Sequence, residues 1–117
     1  MSITADLIRG NTDLIILAQL LHQDSYGYRI NARIRAVTEN RYELKEATLY
    51  TAFRRLEEAG YVTAYWGDGD SGARRRYYSI TELGTSAYQK MLADWRLAND
   101  IITRLISQES NDTPEGL

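Results

Sequence analysis

The apolar pattern of this chain changes period twice, and that change restricts its architecture more than any other feature. Up to Gly60 the large apolar residues recur at helical spacing; between Val62 and Ile80 they alternate; from Glu82 onward helical spacing returns. A repeat near 3.6 residues lines one face of a helix, whereas a repeat of two lines one face of a strand. The order read from the sequence is therefore helices, a hairpin and a long closing helix.

The first expected helix covers residues 13–21, with Leu14, Leu17, Ala18 and Leu21 on one stripe and Asn11 or Thr12 as its cap. Ile15 and Ile16 add apolar surface outside that stripe, so the helix has to be buried twice, in its own domain and against something else. Gln23-Asp24-Ser25 interrupts the pattern, and Tyr26-Gly27-Tyr28 opens a second helix. Its expected core face is Ile30, Ile34 and Val37, and Thr38-Glu39-Asn40 ends it. A third helix begins near Ala47 and stops at Gly60, with Leu49, Ala52, Phe53 and Leu56 turned inward. Val62, Ala64 and Trp66 then alternate with Thr63 and Tyr65, a glycine-rich turn spans residues 67–72, and Arg74–Ile80 is the return strand. Tyr78 and Ile80 are expected on the core side, which would point Arg75 and Tyr77 outward. Thr81 is the cap of a final helix over Glu82–Ser107, and residues 110–117 are expected to fray.

A chain of 117 residues suffices for one core. Its longest apolar cluster, Leu14 through Ala18, is broken by Gln19, so no membrane span is expected, and the first ten residues show no secretory signal. Without cysteine there is no disulfide framework and no thiolate metal site, and the lone His22 reads as a partly exposed structural residue. A cytoplasmic protein with no metal and no cofactor is expected. The net charge of −2 conceals an asymmetry: residues 25–80 hold 10 Lys+Arg against 7 Asp+Glu, or +3, and the remainder holds 4 against 9, or −5. A basic centre between acidic flanks can attract phosphate while the molecule as a whole stays acidic.

Three helices followed by a hairpin form the winged helix-turn-helix layout, a mainly α fold with a small β-hairpin (α+β), here extended by one helix. The expected organisation is a DNA-binding domain over residues 1–80, a dimerisation helix over 81–109 and a tail over 110–117. In this layout the third helix enters the major groove and the hairpin reaches phosphates or the neighbouring minor groove. At about 100° per residue, the face opposite Leu49, Phe53 and Leu56 carries Ala47, Thr51, Arg54 and Glu58, flanked by Thr48 and Arg55 on one side and Tyr50 on the other. Thr48 and Thr51 are candidates for base or phosphate contacts, Arg54 or Arg55 for phosphate or guanine, and Lys45 for phosphate. Arg74, Arg75 and Arg76 form the sharpest charge run, at the base of the wing. The competing reading of these charges is a solvated face with internal pairs, with the wing balanced by Asp68 and Asp70.

Several stretches in this order resemble the PadR family of bacterial transcriptional regulators: Tyr26-Gly27-Tyr28, Leu49-Tyr50, Arg55-Leu56-Glu57, Ala59-Gly60-Tyr61-Val62, Arg75-Arg76-Tyr77-Tyr78 and Thr81-Glu82-Leu83-Gly84. The resemblance runs from about Leu7 to Trp95 and is closest to the compact subfamily with one C-terminal dimerisation helix. It implies a repressor, a DNA-backbone role for Tyr50, and a place for Tyr26 among the DNA-binding residues. The family's proline after leucine-tyrosine is Thr51 here, which supplies a hydroxyl where proline would fix the backbone.

In the last helix Met91, Trp95, Ala98, Ile102 and Leu105 recur at spacings of 4, 3, 4 and 3, the seam of a helix pair, widened by Tyr88 and Leu92. A homodimer follows, with Leu14 and Ile15 of the first helix as partner surface and two recognition helices one turn of duplex apart on a near-palindromic site. The resemblance further implies a cavity at Trp95, with Met91 and Leu92, for a small aromatic effector; ordinary packing of that tryptophan is the competing reading. No nucleophile–base pair or phosphate-binding glycine loop supports an enzyme. The rival function is a winged-helix module for protein contacts. A MarR-like regulator would be longer, with helices flanking both ends.

Overall fold

The structure, a computed structural model, describes residues 3–68 and 74–108. In chain order its elements are α1 (Ile3–Arg9), α2 (Thr12–Leu20), α3 (Gly27–Val37), α4 (Glu46–Glu58), β1 (Val62–Asp68), β2 (Arg74–Ile80) and α5 (Glu82–Ser107). The fold is mainly α with a two-stranded antiparallel hairpin, as the change of period requires. The expected frayed tail and the tip of the glycine-rich turn, including Asp70, lie outside the described residues.

One core holds α2, α3, α4 and the base of the hairpin together. It is built from Ile16, Leu17 and Leu20 of α2, Ile30 and Ile34 of α3, all four expected residues of α4, and Val62 and Tyr78 of the hairpin, with Leu44 between α3 and α4. Phe53 stacks on Tyr78 with ring centroids 3.8 Å apart, which pins the recognition-type helix to the root of the hairpin. α4 ends in paired backbone hydrogen bonds, Gly60 N–H to the Glu57 carbonyl and Tyr61 N–H to the Leu56 carbonyl. Gly60 sits at φ +81°, the left-handed geometry that this helix end needs and that glycine adopts without strain.

Thr81 caps α5 as expected: its hydroxyl oxygen accepts from the Gly84 N–H at 2.9 Å. Gly84 has a separate reason. A Cβ there would lie 2.1 Å from the Tyr61 carbonyl oxygen, so α5 can start against the end of α4 only without a side chain at this position.

Several expectations are corrected. α1 was not foreseen, because a seven-residue helix is too short for periodicity to register. The core face of α2 is centred on Ile16, Leu17 and Leu20, whereas Leu14, Ala18 and Leu21 are only half-buried. An all-round apolar helix has no unique stripe, so spacing alone assigned the wrong phase. Neither expected cap acts at α2: Asn11 makes no side-chain cap, and the Thr12 hydroxyl donates backward to the Arg9 carbonyl at 2.7 Å. Val37 is 68% exposed: α3 ends there, and its buried face stops at Ile34.

The hairpin supplies a further correction. Val62 pairs with Ile80, Ala64 with Tyr78 and Trp66 with Arg76, so these residues share the core-side face with Arg74 farther out. Tyr65, Tyr77 and Arg75 share the other face, which is not open. Ser25 exchanges backbone hydrogen bonds with Tyr78 at 3.2 and 2.8 Å, so the segment before α3 runs beside β2 as a third short edge. It lays Tyr26 against Tyr77, edge to face at 5.2 Å, and leaves Arg75 and Tyr77 half-buried.

Candidate DNA interface

The local sequence around α4 explains how its N-terminal half comes to be exposed and firmly placed. The side chain of Asn31 on α3 donates to the Leu44 carbonyl and accepts from the Leu44 N–H, each at 2.8 Å. This two-way clip holds the extended segment that leads into α4. Thr38 ties the start of the same segment, with its hydroxyl donating to the Ile34 carbonyl at 2.7 Å and accepting from the Tyr42 N–H at 3.2 Å. Glu39 and Asn40, both at positive φ, make the reversal between these two anchors. Lys45 then precedes α4 in extended geometry and is exposed, as are Glu46, Ala47, Tyr50, Thr51 and Arg54; Thr48 is half-buried.

Gly27 fixes the relation of α3 to α4. A Cβ there would lie 3.1 Å from both the Leu49 Cδ2 and the Tyr50 hydroxyl, so the start of α3 seats against α4 closely enough to bring Tyr50 beside Tyr26 and Tyr28. These tyrosines line a cleft of about 520 Å³ that is closed on its far side by Trp66 and by Arg74 to Arg76. The tyrosine-glycine-tyrosine and leucine-tyrosine stretches therefore meet the arginine run in one place.

Arginines dominate this surface, yet they differ in freedom. Two guanidinium groups lie over the Tyr26 ring, Arg29 at 5.0 Å and Arg75 at 4.7 Å. Arg29 is further held by the Ser25 hydroxyl and the Asp24 carbonyl. The Arg75 Nε is buried without a hydrogen-bond partner among the described residues. Arg74 and Arg76 are exposed, and Arg76 reaches Glu57 of α4 at 3.8 Å. Behind the hairpin, the Tyr65 hydroxyl donates to Asp24, which raises the pKa of the phenol above its ordinary value.

The two arginines of α4 part company. Arg54 is exposed and has no ion pair among the described residues. Arg55 turns toward α2 and grips Asp13 with two hydrogen bonds, one of them from Nε at 3.1 Å; accepting these bonds, Asp13 raises the Arg55 pKa. Thr48, Thr51 and Arg55 flank a separate depression shared with Arg9 and Thr12. Lys45 and Thr48 border another with Arg9 and Arg41. The expected DNA-binding residues thus spread along both sides of α4, and only Tyr26, Tyr50 and the wing arginines share the cleft. Asn31, Arg29, Tyr28 and Trp66 were not among the site residues expected from the sequence. Trp66 could have been found by setting the hairpin in register, which places it opposite Arg76.

The remaining candidate residues lie on α2 and α5. Tyr88 and Met91 pack against the chain's own core, as does Ile15, and Leu92 is half-buried. From Ala93 onward α5 projects from the body with every residue exposed, including Trp95, Ala98, Ile102 and Leu105 of the seam. Leu97, Ile101 and Ile106, absent from the expected seam, widen the apolar face. Leu14, Met91, Trp95 and Ala98 line a cleft of about 500 Å³ that Asp13, Arg55 and Asp94 also border. Among the described residues no group of three His, Asp or Glu side chains could hold a metal ion, and no helix is long and apolar enough to cross a membrane.

Comparison with known proteins bears on this arrangement directly. Residues 16–90 match the model of the transcriptional regulator PadR-like family. An uncharacterized protein of Lysinibacillus sphaericus is 42% identical over 100 residues, covering 86% of this chain and 92% of that protein. The structure of a transcriptional regulator from Clostridium thermocellum superposes with a TM-score of 0.80 at 42% identity, covering 91% of this chain and all of that one. A PadR family transcription regulator from Clostridium difficile gives a TM-score of 0.70 at 28% identity, with 84% of this chain and all of that one covered. With most of the helical body, the whole hairpin and the start of α5 inside the matched region, this chain belongs to the PadR-like family of transcriptional regulators.

Proposed function

We propose that this regulator is a homodimeric repressor that binds duplex DNA at a near-palindromic operator through the N-terminal half of α4 and the wing. The observation that carries this reading is the shared cleft, in which Tyr50 of α4, Tyr26 at the start of α3 and Arg74 to Arg76 of β2 line one concavity. Arginine and tyrosine are the side chains suited to holding phosphate oxygens while a helix meets base edges. In this assignment Lys45, Thr48, Thr51 and Arg54 supply the contacts along α4, and Arg55 serves mainly to fasten α4 to α2 through Asp13.

The dimer rests on the projecting half of α5. Its large apolar side chains range from 43% exposed at Trp95 to 66% at Ile106, a contiguous face that a monomer would leave in water. A second copy covers it by pairing seam with seam, with Leu14 and Ile15 at the margin. The cleft beside Trp95, Met91 and Ala98 is the place for a flat aromatic effector, with Leu92 next to it.

Footprinting on the region upstream of its own coding sequence tests the reading. Two protected half-sites, centred about 34–36 Å apart along the duplex, are expected. Uniform partial protection across the fragment would contradict it and would favour a module for protein contacts.

A further inference from the structure

We propose that Trp66 is a DNA-contacting residue, laying its indole against a deoxyribose of the backbone while Arg74 and Arg76 hold the phosphates on either side. This inference rests on the DNA-binding reading above and goes beyond it in assigning to the wing an apolar contact as well as an ionic one.

Three observations carry it. First, Trp66 is 55% exposed on a hairpin that could have hidden it, since the core-side face of β1 begins with the fully packed Val62 and the half-buried Ala64. Second, the ring is flanked by cations: the guanidinium of Arg74 lies 5.6 Å from its centroid and that of Arg76 lies 5.4 Å from it. The register produces this grouping, because Trp66 is directly paired with Arg76 while Arg74 lies one step out on the same face. Third, Trp66 lines the same cleft as Tyr50 of α4, so both side chains can face one ligand.

The chemistry of the occupant follows from an exposed aromatic ring with two guanidinium groups beside it. A nucleic-acid strand offers anionic phosphate next to an apolar sugar face, and the wing offers cations next to an apolar ring. An acidic peptide would satisfy the arginines but gives no reason for an exposed indole beside them. Glu57 of α4 approaches Arg76 at 3.8 Å, and both side chains remain partly exposed.

The test compares wild type, Trp66→Phe, Trp66→Ala and Arg74→Ala as full chains, titrated into a labelled duplex of the upstream region over a range of salt. Trp66→Ala is expected to weaken binding by about tenfold, the worth of returning that much apolar surface to water, with its salt dependence unchanged. Trp66→Phe is expected to keep most of the affinity, and Arg74→Ala to lower the log–log salt slope by about one. The fluorescence of wild type minus that of Trp66→Phe isolates this indole, and duplex DNA is expected to shield the difference signal from acrylamide. Normal binding by Trp66→Ala, or a difference signal as accessible with DNA as without it, overturns the proposal and leaves the DNA-binding reading standing. Failure of wild type to bind any duplex removes both.

Discussion

Gly84 and the two arginines of α4 show how much a single position decides in a chain of this size. Any side chain at Gly84 meets the Tyr61 carbonyl, which is backbone and cannot swing aside. Gly84→Ala is therefore expected to lower the unfolding free energy by about 1–3 kcal/mol; an unchanged urea midpoint would show that α5 can shift away from α4 at no cost. Arg54 and Arg55 are adjacent and chemically identical, yet only Arg55 is engaged by a carboxylate on another element. Arg54→Ala is expected to weaken DNA binding and to lower the salt slope by about one, with stability unaltered. Arg55→Ala is expected to cost stability of about 1 kcal/mol or less, because both partners of its pair are partly solvated, and to leave the slope intact. The reverse assignment, with Arg55→Ala lowering the slope, would mean that the pair opens on DNA. The sequence placed both residues on or beside the outer face of α4; which of them is engaged depends on Asp13, 42 residues away, and no local pattern carries that information.

At the scale of elements, legibility followed the strength of the periodic signal. α4 was readable down to each of its four core residues because its apolar positions are few and its other face is charged. The hairpin and the start of α5 were equally plain, the one from alternation and the other from a threonine three positions before a glycine. α2 was legible as a helix but not in phase, since leucine and isoleucine surround it. The face of β2 that carries Arg75 was misread for a different reason: Tyr26 packs on it from a segment that the Ser25–Tyr78 bridge ties to β2, and a bridge of one residue leaves no repeat. The approach to α4 depends on another non-periodic device, the Asn31 clip. Asn31→Ala strands both backbone groups of Leu44 and is expected to destabilise the fold by about 1–3 kcal/mol, with faster hydrogen exchange at the Leu44 amide. Exchange at that amide unchanged from wild type would show that α4 is placed by its core contacts alone.

Seen whole, the molecule is elongated, 67 Å along its main axis against 30 and 22 Å across. The length comes from α5, whose 26 residues span about 39 Å at 1.5 Å per residue. Only its first part is used by the chain's own core, so one protomer is a folded body carrying an apolar arm. Ile102→Glu, placed on that arm and away from the body, is expected to yield monomers by light scattering while leaving the helical content of the body in place. Val37→Glu, at an exposed apolar residue on α3, serves as the control and is expected to leave the dimer unaffected. Dimers that survive Ile102→Glu would place the interface elsewhere. The seam spacing made this arm visible in the sequence, but not how much of it the core would claim: Tyr88 and Met91, read as seam residues, also pack against the chain's own core.

Recognition of a specific duplex by paired copies of α4 and the wing is measured by titrating the protein into its labelled upstream region at two salt concentrations, beside a shuffled duplex of the same composition. Two chains per duplex, tighter binding to the upstream sequence than to the shuffled one, and an affinity that falls steeply as salt rises are expected. Equal affinity for both duplexes, or no binding even at low salt, would contradict such recognition.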